Sequence, residues 1–135
     1  MMIEINNKTR SKINVKLIEK VTAKFLIYHK INKDVSIAFV GDTVIRSLNK
    51  EHRGIDRVTD VLAFAGDGED FGELIIDYSQ IKRQAKSFAG SAEKELAFIL
   101  VHGLLHLMGY EDKTAKGKKK MEKLGKEFIG KVTGN

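Results

Sequence analysis

Two histidines and a nearby acidic residue are the side chains whose types and spacing point most directly to chemistry. His102 and His106 lie four positions apart, and Asp112 follows shortly after them. In a helix, side chains at this spacing share one face with Cβ atoms about 5–6 Å apart, so that two imidazoles can bind one ion at about 2.0–2.1 Å. The pattern predicts a metal site formed by His102, His106 and a third donor, for which Asp112 is preferred over Glu111.

The segment that carries the histidines is otherwise wholly apolar. Between Leu96 and Met108, every residue is apolar except the two histidines and the glycine between them. A stretch without a polar face predicts a buried central helix, and Gly109 is its expected end. Burying a polar group without a partner costs about 1–3 kcal/mol, which favours a metal site over two ordinary core histidines. The role of Asp112 stays open, because aspartate is equally suited to cap the next helix.

Such a site would favour hydrolysis. Two imidazoles and one carboxylate leave the fourth position of a tetrahedral zinc ion open, as in catalytic sites, where the ion lowers the pKa of bound water to about 7. The H-E-x-x-H helix of metallopeptidases has the same histidine spacing, but Gly103 stands where the peptidase has its general base. A peptidase is therefore disfavoured.

Arg53 is the candidate for a second positive charge near the metal. It lies beside Gly54 in the segment 52–57, which the sequence predicts to be a loop. Guanidinium binds phosphate bidentately and stays charged at any working pH, so a metal with an arginine suits phosphoryl transfer. The plain alternative for Arg53 is an ordinary surface arginine.

Composition and charge narrow the class of protein. The 135 residues fit one globular domain, and the absence of cysteine excludes disulfides and thiolate metal sites. No apolar run is long enough to cross a membrane, and polar residues follow Met1 almost at once, so we expect a cytoplasmic protein. The net charge of +6 resides in residues 113–135, which hold eight lysines and two glutamates. This segment suits a polyanion such as RNA, although a solvated helix face is the usual explanation of such a run.

Hydrophobic periodicity and turn residues predict nine elements in the order β-α-β-α-β-β-α-α-α, and therefore one α+β domain. The strands are predicted around Ile3–Ile5 and over Val35–Val40, Thr59–Ala65 and Gly72–Tyr78, the last two paired as a hairpin. The helices are predicted over Asn14–Lys30, from an Asp42 cap to Glu51, from a Ser79 cap to Ala89, over the apolar segment, and over Thr114–Val132.

Four blocks of the sequence together resemble the YbeY family of bacterial metal-dependent endoribonucleases. HGLLHLMGYED resembles the family signature H-G-x-L-H-L-x-G-Y-D-H, and LNKEHRGIDRVTDVLAF is similar to its block L-N-x-x-(Y/F)-R-x-x-x-x-P-T-D-V-L-S-F. GELIIDYSQIKRQA and EKELAFILVHG resemble two further blocks in the same order. The resemblance implies a zincin-like mixed four-stranded sheet with about five helices around the metal-site helix, in a single domain over residues 1–135.

The resemblance also implies a function. It implies a single-strand-specific endoribonuclease of small-subunit ribosomal RNA maturation and ribosome quality control, with ribosomal RNA and the small subunit as partners. One zinc ion would be bound at the positions matching His102 and His106, and Arg53 matches an important arginine of the family. Arg53 and Arg57 are the residues predicted to contact RNA. Three residues depart from the family pattern: Asp112 replaces its third histidine, Val58 its proline and Ala63 its serine.

Three functions follow for testing. The first is metal-dependent RNA hydrolysis by His102, His106, Asp112 and Arg53. The second is a metallopeptidase-like hydrolase, which Gly103 disfavours. The third is a non-catalytic RNA-binding or ribosome-assembly module, in which the metal only ties the helix to the loop at Asp112. The sequence predicts no oligomeric state.

Overall fold

The computed structural model describes residues 1–87 and 90–133. Among these residues the strands are β1 (Ile3–Asn7), β2 (Asp34–Phe39), β3 (Val61–Ala65) and β4 (Asp70–Ile76), and the helices are α1 (Val15–Tyr28), α2 (Asp42–Arg53), α3 (Tyr78–Ser87), α4 (Ala92–Leu107) and α5 (Ala115–Thr133). The types and order of these elements are those predicted from the sequence. Phe88 and Ala89, which the prediction places at the end of the third helix, lie outside the described residues.

The strands form one mixed sheet in the order β1-β2-β4-β3. β2 pairs in parallel with both β1 and β4, whereas β3 is antiparallel to β4 and forms one edge of the sheet. The predicted hairpin and the mixed four-stranded sheet are confirmed. Successive side chains of a strand point to opposite faces, so each strand contributes to two apolar layers. In β4, Leu74 and Ile76 belong to the larger core and Ile75 to the smaller one.

The helices cover the two faces of the sheet unequally. α2 covers one face with a small cluster that includes Val40, Ile45 and Leu62. The larger core holds side chains of the other four helices on the opposite face, and α4 contributes most to it, with seven buried side chains. The predicted buried central helix is therefore confirmed. Within residues 1–87 and 90–133, no helix is both long and apolar enough to cross a membrane.

Several element ends differ from the prediction. Gly41, not Asp42, is the residue before α2, and the helix continues through Arg53, so Arg53 lies in a last helical turn rather than in a loop. The last turn is rich in basic residues, whose positive charges are stabilised by the negative end of the helix dipole. The helix ends where Gly54 adopts a φ of 71°. Likewise, β4 begins two residues before the predicted Gly72, and Tyr78, predicted as the end of this strand, belongs to α3.

Gly103 allows α4 to approach the sheet closely. A Cβ atom at this position would lie 2.9 and 3.2 Å from the two methyl carbons of Leu74, and 3.3 Å from a methyl of Val61. Leu74 is fully buried in the core, so its side chain has little room to move away. The position that holds the general base in H-E-x-x-H peptidases therefore faces the sheet, and a glutamate does not fit there.

We expect Gly103→Ala to lower the free energy of unfolding by about 1–3 kcal/mol through overpacking, reduced by the higher helix propensity of alanine. Gly125 in α5 is the matched control, because a Cβ there would meet only Val101, at 3.8 Å. Gly125→Ala should raise the free energy of unfolding by up to about 1 kcal/mol. Urea unfolding of both variants measures this. Equal stabilisation by the two substitutions would contradict the close packing of α4 on the sheet.

Asp77, not the predicted Ser79, caps α3. Its Oδ1 accepts hydrogen bonds from the backbone N–H groups of Ser79 and Gln80, at 3.0 and 3.3 Å. Asp77 is completely buried, and its Oδ2 has no hydrogen-bond partner that meets normal geometry among the described residues. Burial, and secondarily the nearby Asp42 carboxyl group, raises the pKa of Asp77 to about 7. The Asp42 carboxylate forms a salt bridge with Arg83, whose Nη2 atom lies 2.8 Å from Oδ1.

Because the folded pKa of about 7 lies above the ordinary 3.8, the folded chain keeps a proton that the unfolded chain releases. This contribution to stability is complete below about pH 4 and is lost as the pH rises to about 7. Asp77→Asn keeps the capping oxygen and abolishes the titration. The stability of the wild type relative to this variant should fall by at most about 1.4 kcal/mol per pH unit over that range. Urea unfolding at about pH 5 and about pH 8 measures the difference, and a pH-independent difference would disprove the assignment.

Candidate metal centre

α4 brings both histidines to a part of its surface that the core leaves open. His102 and His106 lie one turn apart, and their rings are centred 4.8 Å apart at nearly right angles. Their side chains are 18% and 24% exposed, whereas most neighbouring α4 residues are buried. The same helix therefore supplies both the hydrophobic anchor and the two imidazoles.

The chain returns to the histidines immediately after α4. Gly109, at a φ of 104°, turns the chain after the end of the helix, as predicted. Thr114 rather than Asp112 caps α5, because its Oγ1 accepts a hydrogen bond from the Gly117 backbone N–H at 3.0 Å. A Cβ atom at Gly117 would clash with the Glu111 carbonyl oxygen, so this glycine permits the loop to lie against α5. The cap alternative for Asp112 is thus wrong, and its side chain is free to point at the histidines.

The three predicted donors converge. The Asp112 Oδ2 atom lies 3.2 Å from Nε2 of His102 and 3.4 Å from Nε2 of His106, and ligand atoms of all three lie within 4.8 Å of one another. Two donors bound tetrahedrally at about 2.0–2.1 Å from one ion are about 3.3–3.4 Å apart. The two distances to Asp112 match that separation, so these residues form a metal-binding group.

A backbone contact orients His106. Its Nδ1 lies 3.0 Å from the Tyr110 carbonyl oxygen, which can only accept, so Nδ1 carries the proton and a neutral ring directs the lone pair of Nε2 toward Asp112. A lone pair and a carboxylate oxygen at 3.4 Å repel each other unless a positive charge lies between or on them. Burial alone would raise the pKa of Asp112, but His106 and His102 lower it overall. The donor set thus fits a cation.

The metal-binding group lies in the wall of an open cavity of about 560 Å³. All five residues of the edge strand β3 line it, together with Arg53 and Lys113. His52 packs its ring against Phe64 of β3, with ring centres 4.9 Å apart, and this contact holds the end of α2 over the cavity. Arg57 is not among the lining residues, and its backbone carbonyl accepts a hydrogen bond from Asn49. The structure therefore places Arg53, but not Arg57, in the wall of the cavity that contains the metal-binding group.

Sequence reasoning missed one polar group of the cavity. Asp60 lines it just before β3, and Gln84 donates hydrogen bonds to both Asp60 and Glu95, at 3.2 and 2.9 Å. Gln84 and Glu95 belong to α3 and α4, so their proximity to Asp60 arises only from the tertiary fold. Two signals were available in the sequence: the position of Asp60 at the start of a buried strand, and its place in the block VTDVLAF, which is similar to the family's P-T-D-V-L-S-F. Ala63, where the family pattern has serine, also lines the cavity.

Comparison with known proteins decides the family. The profile of the family described as Endoribonuclease YbeY matches residues 2–133. The chain belongs to the YbeY endoribonuclease family. A YbeY endoribonuclease of Wolinella succinogenes is 33% identical over 90% of this chain and 85% of its own, and one of Acholeplasma laidlawii is 38% identical over 76% and 77%. The solution structure of TM1509 from Thermotoga maritima has a TM-score of 0.69 and 33% identity, and covers 98% of this chain and 90% of that one.

Membership in the YbeY family confirms the resemblance identified in the sequence and the enzyme class predicted from it, a hydrolase that cuts RNA. Within this YbeY family member, the metal-binding group contains an aspartate at the position of the third signature histidine. Carboxylate oxygen binds zinc at about 2.0–2.2 Å, a distance compatible with the observed donor spacing.

We expect the chelator-treated chain to bind one zinc ion. Substitutions of residues that only contact a metal ligand typically weaken metal binding about 10–100-fold, and Asp112→Asn should weaken zinc binding by more than this because it changes a ligand itself. Calorimetric titration measures the stoichiometry and affinity. Glu111→Gln is the matched control, because this substitution removes the same charge and Glu111 is the alternative third donor. Weaker binding in the Glu111 variant, with normal binding in the Asp112 variant, would show that the third donor is misassigned.

Proposed function

We propose that residues 1–135 act as a single metal-dependent, single-strand-specific endoribonuclease domain whose substrate is small-subunit ribosomal RNA. His102, His106 and Asp112 would hold the ion, and Arg53 would be the catalytic residue that contacts the scissile phosphate. The observation that supports this proposal is that the three donors and Arg53 line one open cavity. One substrate can contact both the metal-binding group and Arg53 only if they face the same cavity.

The residues of the cavity suit a phosphodiester. A divalent ion bound there would supply an activated water and polarise a phosphoryl oxygen. Arg53 is exposed and makes no ion pair with any residue that the structure describes, so its guanidinium is available to bind phosphate oxygens bidentately. The cavity is open and is lined by an edge strand, which suits an unpaired strand better than a rigid duplex. Arg57, exposed next to α2, would contact RNA outside the cavity.

Zinc is the proposed ion because two imidazoles and a carboxylate are ligands that zinc commonly uses in open sites. The aspartate also suits harder ions such as Mn²⁺, which carboxylates favour. Elemental analysis of the purified chain distinguishes the two. The small ribosomal subunit is the proposed partner and the cytoplasm the proposed location, since ribosomal RNA is the proposed substrate.

The two other functions have weaker support. A metallopeptidase would require a general base at Gly103, where the contacts with Leu74 and Val61 leave no room for a side chain. A non-catalytic module would not need an arginine beside the metal-binding group, but the cavity has one. Both remain distinguishable by turnover on RNA and on a peptide library.

The central experiment measures cleavage of single-stranded ribosomal RNA by the metal-loaded protein. We expect cleavage to stop on addition of chelator and in His106→Ala, and to fall at least about 10²-fold in kcat in Arg53→Ala, because a charge-stabilising donor to the phosphate is lost. Arg10→Ala is the matched control, since Arg10 is exposed beyond β1 at the opposite edge of the sheet.

Cleavage that survives both chelation and His106→Ala would refute the metal mechanism. Equal losses in the Arg53 and Arg10 variants would mean that Arg53 acts only through overall charge. RNA binding without turnover by the metal-loaded protein would support the non-catalytic module instead.

A further inference from the structure

A single row of lysines on α5 begins beside the cavity. Lys116, Lys119, Lys123 and Lys126 are spaced so that they share one helix face, and all four are exposed. This lysine row is opposite the buried face of α5, which contains Met121, Gly125 and Phe128. At a rise of about 1.5 Å per residue, the row extends about 15 Å along the helix.

The lysine row starts where the cavity ends. Lys113 lines the cavity, and α5 begins two residues later. The first turn of α5 is fixed to the same loop that carries Asp112, through the Thr114 cap and the close approach of Gly117 to the Glu111 carbonyl. A strand that leaves the cavity past Lys113 would therefore meet Lys116 next and could continue along the row.

The four lysines have no side-chain partners among residues 1–87 and 90–133. None forms an ion pair or a side-chain hydrogen bond with any residue that the structure describes, whereas Lys131 donates to the Tyr28 hydroxyl and Lys120 lies over the Tyr110 ring. Like charges three or four positions apart destabilise a helix. The first turn of α5 also contains no acidic residue, although the helix dipole favours one there. No contact within the described residues neutralises the row, whereas a polyanion would.

We propose that the lysine row is a binding site for the phosphate backbone of the RNA strand that flanks the cleavage site. This inference rests on the proposed function for the identity of the ligand, and adds where the flanking strand lies. The site would bind without sequence preference, because ammonium groups contact phosphates rather than bases. The lysine row would strengthen the binding of substrates long enough to reach it, and would have no effect on short substrates that fill only the cavity.

The test compares two variants that each lose four lysines. The first changes Lys116, Lys119, Lys123 and Lys126 to glutamine, and the matched control changes Lys12, Lys16, Lys20 and Lys24, which are exposed along and just before α1. No residue of α1 lines the cavity. Both variants have the same net charge, and glutamine retains the helix propensity of lysine. Thermal unfolding establishes that each variant is folded.

Binding of the metal-loaded protein to single-stranded DNA of about 20 nucleotides is measured against salt concentration, since a site of this kind covers about 4–16 nucleotides and an endoribonuclease leaves DNA intact. Each lost phosphate contact reduces the slope of log affinity against log salt by about 0.7, so we expect a reduction of up to about 2.8 for the lysine row and little change for the control. For RNA, KM should rise several-fold on long substrates, with kcat unchanged, and short substrates should show no change.

Two results would overturn the inference: an unchanged salt slope in the α5 variant, or an equal reduction in the control variant, which would indicate a general basic surface. Failure of the proposed function is distinguishable from both. If the wild type binds nucleic acid through the lysine row and yet does not cleave RNA, the site stands and the proposed activity falls.

Discussion

The close packing of α4 on the sheet is the constraint on which the rest of the structure depends. α4 is apolar on nearly all sides, so it must be covered by the sheet and by other helices. Gly103 permits its contact with Leu74 and Val61, and this contact sets the rotation of the helix about its axis. His102 lies next to Gly103 in the chain, and His106 follows one turn later. The rotation that buries the glycine therefore directs both imidazoles to the open cavity.

The second requirement is a chain reversal that brings an acid back to these imidazoles within a few residues. Gly109 makes the turn, Tyr110 orients the His106 ring through its carbonyl, and Thr114 and Gly117 fix the start of α5. Rigid elements hold ligands more accurately than loops do, and here the loop is short and fixed at both ends. Asp112 thus has a defined place although it belongs to no helix or strand.

Features determined by local sequence could be predicted, whereas those determined by tertiary contacts could not. The apolar run around His102 and His106 identified the central helix and the metal-binding pair, because both depend on spacing within one element. Asp112 could not be assigned, since an N-cap and a ligand use the same side chain. The polar network of Asp60 and Gln84 was missed because it joins residues distant in the chain. Arg53 was predicted near the metal but in the wrong type of structure, since the helix before Gly54 ends two residues later than expected.

The charge of this chain differs from that of a simple three-histidine site in two places: the aspartate in the ligand set and the lysine-rich helix that follows it. An aspartate in the ligand set reduces the net charge of a divalent centre to about +1, which weakens its attraction for phosphate. In the cavity wall the positive charges of Arg53 and Lys113 are balanced by Asp60 and Glu111, so the excess of positive charge lies on the helix that starts next to Asp112. Residues 1–112 are electrically balanced, so the whole excess of +6 lies after the last ligand. The positive charge that a polyanion would meet therefore lies beside the ligand set rather than on it, and the fold brings that charge to the cavity because the loop that carries Asp112 leads directly into α5.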